Sequence, residues 1–77
     1  MMKLSLARLP AGVSATVAQL SSDKAFAHRL RDFGLVPGTT VTVCYRSPYG
    51  GVTAVECRGT MIALRTKDIQ GIQVRIE

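Results

Sequence analysis

The alternation of apolar and polar residues divides the 77-residue chain into short elements. Val13, Ala15 and Val17 alternate with Ser14, Thr16 and Ala18, which predicts a first strand ending near Leu20. Val41 and Val43 alternate with Thr40 and Thr42, giving a second strand over Thr40–Arg46 with Tyr45 in phase with the valines. A third strand is expected over Val52–Arg58. A fourth spans Thr60–Arg65, with Ile62 and Leu64 on one face. A fifth is read from Ile72, Val74 and Ile76 set against Gln73, Arg75 and Glu77. Between the first and second strands the period changes. Phe26, Leu30 and Phe33 recur at i, i+4 and i+7, so a helix over Asp23–Phe33 should bury all three. Leu4, Leu6 and Leu9 lie in a lead-in segment and are expected to pack on the rim of the core.

The punctuation agrees with the pattern. Ser21-Ser22 offers a capping oxygen before the helix, and Asp23 suits the first turn. Gly34 stands where a helix needs a residue of positive φ just past its end. Pro37-Gly38 fits the central positions of a type II turn. Leu9-Pro10-Ala11-Gly12, Ser47-Pro48-Tyr49-Gly50-Gly51 and Arg58-Gly59-Thr60 read as turns, and Thr66-Lys67-Asp68-Ile69 as one capped helical or 3₁₀ turn. The fold class is mainly β: a single domain over residues 1–77, a five-stranded small barrel with one helix after the first strand and a short helical turn before the last.

The two cysteines test the hairpin register. A two-residue Gly50-Gly51 loop would set Cys44 against Cys57, but it would also set Val43 against Arg58. Shifting the pairing places Val43 opposite Val55 and Val41 opposite Cys57, so the apolar faces coincide. A one-residue slip flips every side chain, so burial decides. Cys57 is therefore expected in the core, Cys44 on the other face, and both as thiols.

Composition narrows the function. A chain this short has little room for an enclosed active site of several hundred Å³, which favours a binding module over an enzyme. The net charge is +5, and seven of the ten basic residues are Arg. Nucleic acid, anionic lipid and acidic protein surfaces are the partner classes that such a balance suits. The charges are scattered rather than run together as in a nucleic-acid patch. A basic small-barrel nucleic-acid binder remains the alternative function, but Tyr49 alone among the four aromatics is expected to be exposed for base stacking. The longest late apolar run is Met61-Ile62-Ala63-Leu64, far below the roughly 18 residues needed to span a membrane. A cytoplasmic setting with reduced thiols is the expectation.

No chemistry-bearing constellation emerges. Cys44 and Cys57 form no CxxC, and His28 has no second histidine at ligand spacing, so neither a metal nor a cofactor is expected. There is no GxSxG elbow and no phosphate loop ending in GK[ST]. The expected catalytic set is empty.

The stretch Arg29-Leu30-Arg31-Asp32-Phe33-Gly34-Leu35-Val36-Pro37-Gly38-Thr39 resembles the R-L-x-x-L-G-[LM]-x-P-G-[TS] signature of FeoA domains. Leu9-Pro10-Ala11-Gly12 is similar to their L-x-x-G opening, and Ser47-Pro48-Tyr49-Gly50-Gly51 to their A-P-L-G-D-P loop. Met61-Ile62-Ala63-Leu64-Arg65 and the segment from Lys67 to Val74 resemble their closing motifs. The chain departs from the pattern at Tyr49 and Gly51, which replace Leu and Asp, and lacks the second loop proline. The resemblance implies an SH3-like barrel without enzymatic activity. It also implies a cytoplasmic protein of ferrous iron uptake that binds the FeoB transporter and modulates it, as a monomer or weak homo-oligomer that does not insert in the membrane. The contact expected from the residues is the tip Arg46–Gly51 together with the loop around Leu35. Leu35, Arg46, Pro48 and Tyr49 are its candidate residues: Tyr49 as an exposed ring, Arg46 as a cation for a partner carboxylate.

Overall fold

The computed structural model describes residues 2–76. The elements run β1 (Met2–Ser5), a 3₁₀ turn (Leu6–Arg8), β2 (Ser14–Gln19), α1 (Lys24–Asp32), β3 (Thr40–Arg46), β4 (Val52–Cys57), β5 (Thr60–Arg65), a second 3₁₀ turn (Thr66–Ile69) and β6 (Gln73–Ile76). All strand pairs are antiparallel, in one sheet ordered β1-β6-β2-β3-β4-β5. The five strands read from the sequence are present. The sixth, β1, adds to β6 with Lys3 opposite Arg75 and Leu4 opposite Val74. The sheet wraps one core of fully buried side chains, among them Leu6, Val17, Val41, Val43, Val55, Ile69 and Val74.

The helix contributes Ala27 and Leu30 to burial, and Phe26 packs partly against the core. Its N-cap is Asp23, whose carboxylate accepts from the Phe26 N–H at 3.2 Å. Ser21 Oγ in turn accepts from the Asp23 N–H at 3.1 Å. The C-terminus closes as a Schellman motif. The Gly34 N–H donates to the Arg31 carbonyl at 2.9 Å and the Leu35 N–H to the Leu30 carbonyl at 3.0 Å, with Gly34 at φ +85°. A Cβ at Gly34 would also lie 3.0 Å from Arg58 Cδ. The motif pairs the apolar residue before the cap with the one after it, and both Leu30 and Leu35 are buried. Phe33, the C-cap itself, has left the helical face and is 50% exposed. The expectation that Phe33 is core is thus corrected. The i+7 spacing turns a side chain inward only while the helix continues, and Phe33 lies one residue past its end. Beyond it, the Thr39 N–H donates to the Val36 carbonyl and Gly38 sits at φ +93°, the type II turn read from Pro37-Gly38.

The β3–β4 register pairs Val43 with Val55 and Val41 with Cys57, then shifts by one residue between Val43 and Tyr45. Cys57 is buried, Cys44 is exposed, and both are free thiols. Burial pushes the Cys57 thiol above its ordinary range; Arg58 opposes this and Glu56 adds to it. Alkylation of the folded protein should therefore label Cys44 and spare Cys57, and denaturant should expose both. Equal labelling of the two in native buffer, read by mass spectrometry, would contradict this register.

Candidate partner-docking site

The β3 bulge decides what the β3–β4 tip presents. Before it, Val41 and Val43 point inward. After it, Tyr45 stands opposite Ala54 on the outer face and is 55% exposed, while Arg46 stands opposite the fully buried Thr53. Simple alternation puts Tyr45 in phase with the valines, and the extra residue at Cys44 reverses that. The outer face therefore carries Tyr45, Val52 and Met61, all exposed.

The turn itself is well tied. The Ser47 N–H donates to the Val52 carbonyl at 2.9 Å, the Gly50 N–H to the Ser47 carbonyl at 2.8 Å, and the Val52 N–H to Ser47 Oγ at 3.0 Å. The Gly51 carbonyl accepts from the Thr66 N–H at 3.0 Å, fastening the tip to the second 3₁₀ turn. Pro48 is exposed, and Tyr49 is 101% exposed, a ring held entirely in solvent on a fixed turn.

Arg46 does something else. Its Nη1 donates to the Leu9 carbonyl at 2.9 Å, its Nη2 to the Leu6 carbonyl at 3.2 Å and its Nε to Thr53 Oγ1 at 3.1 Å. Thr53 Oγ1 is in turn 2.9 Å from Thr66 Oγ1. The guanidinium fork clamps the first 3₁₀ turn, 37 to 40 residues earlier in sequence, onto β3 and β4. It is turned inward, away from any partner carboxylate.

Leu35 is also placed differently from the expectation. It is 0% exposed, so its side chain contacts the core and not a partner. Nor is its loop near the tip. Cys57 Sγ lies 3.6 Å from the Gly34 carbonyl, and the tip meets β4 at Val52, about 17 Å away along a six-residue strand. Of the four candidate residues, Pro48 and Tyr49 are accessible together; Arg46 and Leu35 hold the fold. Nothing in the sequence marks the Arg46 clamp, because its acceptors are backbone carbonyls.

Among the described residues no three of His, Cys, Asp and Glu come together to hold a metal ion. His28 Nδ1 is 3.9 Å from Asp32 Oδ2, both exposed on α1. No helix of the described residues is long and apolar enough to cross a membrane.

Comparison with known proteins gives the family. The model of the FeoA domain matches residues 4–76. The structure of the FeoA protein from Chlorobium tepidum is 34% identical, with a TM-score of 0.89 over 95% of this chain and 70% of that one. The FeoA of Stenotrophomonas maltophilia, solved with zinc and described as a prokaryotic SH3 domain protein, is 32% identical, with a TM-score of 0.80 over 94% of this chain and 89% of that one. IdeR of T. acidophilum shares the fold at 18% identity and a TM-score of 0.84, with 100% of this chain on 35% of that one. Among curated protein sequences no significant match is found. The six-stranded SH3-like sheet, the capped helix and the match over nearly the whole length agree: the chain belongs to the FeoA domain family, which is associated with ferrous iron transport.

Proposed function

We propose that this protein is a cytoplasmic, non-enzymatic accessory of ferrous iron uptake that docks on the FeoB transporter through its β3–β4 tip and modulates transport. The observation that carries the reading is Tyr49: a fully exposed aromatic ring on a turn fixed by backbone hydrogen bonds, in a chain of the FeoA family. Aromatic side chains are enriched at the energetic centres of interfaces. A turn ordered in advance lowers the entropy lost on docking. Pro48 stiffens the same tip, and Tyr45 and Val52 extend an apolar surface behind it.

The inward Arg46 weighs against the alternative of a nucleic-acid binder. A stacking platform works with cations beside its rings; of the two arginines beside this tip, Arg46 donates to the protein's own carbonyls and Arg65, opposite Val52, pairs with Asp68 at 2.7 Å. The direct test is co-purification with full-length FeoB, with and without guanine nucleotide. Retention on FeoB supports the reading, and elution in the void under both conditions overturns it.

A further inference from the structure

The outer face of the opposite half of the sheet carries a second feature. The register aligns Lys3 of β1, Arg75 of β6, Thr16 of β2 and Thr40 of β3 in one row across four strands. Lys3 and Arg75 are directly opposite, a like-charge pairing that destabilises a sheet unless something neutralises it. Arg75 Nε is buried without a hydrogen-bond partner among the described residues, and the described carboxylates do not pair with this guanidinium. Glu56, on β4 beyond Thr42, already accepts from the Gly59 N–H at 2.7 Å. Glu77 lies outside the described residues. A shallow open cavity of ≈ 300 Å³ is lined by Ser14, Ala15, Thr16, Thr40 and Arg75. Ser14 Oγ is 2.7 Å from Thr42 Oγ1, so the hydroxyls continue into the neighbouring row.

The geometry points to an oxyanion site of the phosphate class in this cavity, with Arg75 as the principal donor and Thr16 and Thr40 as hydroxyl donors; Lys3, outside the cavity lining but opposite Arg75 on β1, adds a second positive charge nearby. A phosphate ester carries about −1.5 to −2 charge at neutral pH, against the two cations of Lys3 and Arg75. Its oxygens take donors from several directions, as hydroxyls on adjacent strands supply them. A carboxylate has two oxygens in one plane and would leave part of this set unused. The site shares no residue with the tip.

The test is a titration of the isotope-labelled full chain, followed by backbone amide shifts. Inorganic phosphate, a nucleoside monophosphate, acetate and chloride are added at matched ionic strength. Saturable shifts at Thr16, Thr40 and Arg75 with inorganic phosphate support the site. Tighter binding of the monophosphate supports it too and identifies a phosphorylated molecule as the source. Arg75→Gln should weaken phosphate binding about tenfold or more, the loss expected of charge-assisted hydrogen bonds. Thr16→Val, which suits a strand, should weaken it by a smaller factor and covers the case in which Arg75→Gln does not fold. Linear, unsaturating shifts, equal affinity for acetate, or unchanged affinity in Thr16→Val and a folded Arg75→Gln would each overturn the assignment.

Discussion

Leu30→Ala is expected to remove about 2–5 kcal/mol of folding stability, the range for truncating a buried leucine. That is a large share of the 5–15 kcal/mol typical of whole domains. Leu30 is 1% exposed and is the main anchor of the single α-helix among the described residues. It also sits inside the Schellman motif, opposite Leu35, so its loss loosens the helix end as well as the core. Leu30→Met keeps the volume and should cost less than about 1.5 kcal/mol. Denaturant melts showing Leu30→Ala as stable as the parent would remove Leu30 from the core.

Arg46→Ala is the second large effect, expected at about 2–4 kcal/mol. The estimate follows from charged hydrogen bonds worth about 1.5–3 kcal/mol each, which do not add fully. The variant removes a donor from the carbonyls of Leu6 and Leu9, leaving the Leu6 carbonyl with the Leu9 N–H alone, and opens a void beside the paired hydroxyls of Thr53 and Thr66. The first 3₁₀ turn should then detach before the rest of the sheet, with faster amide exchange at Leu6 and Leu9 than at Val43 or Val55. Arg46→Lys should recover only part of the loss, since an ammonium cannot reproduce a three-way fork. A melting midpoint for Arg46→Ala within about 0.5 kcal/mol of the parent is the surface-residue result and would return Arg46 to solvent.

Local chemistry made much of this fold legible. Gly34, Pro37 and Gly38 dictate their own backbone conformations, and matching the apolar faces of Val41, Val43, Val55 and Cys57 found the hairpin register. What escaped was set by partners distant in sequence or by single-residue irregularities. Met2–Ser5 is too short to announce a strand, and becomes one by pairing with β6 some seventy residues later. Tyr45 faces outward because one extra residue bulges from β3, and no local preference marks that spot. Phe33 obeys the helix period in sequence but lies on the cap, where the period no longer applies. In the candidate site, the exposure of Tyr49 follows from its place in a Pro/Gly turn. The inward course of Arg46 depends on carbonyls of the lead-in segment and has no sequence signature.

At the tip the proposal assigns partner recognition to Tyr49, while Arg46 supports the fold. The most direct measurement is the affinity of Tyr49→Ala for full-length FeoB, taken beside its denaturant midpoint. Stability should stay within about 0.5 kcal/mol of the parent, as for other surface changes, because the ring touches solvent alone. Binding should weaken by more than about 1 kcal/mol, roughly fivefold. Unchanged affinity for FeoB in a variant as stable as the parent would contradict the account.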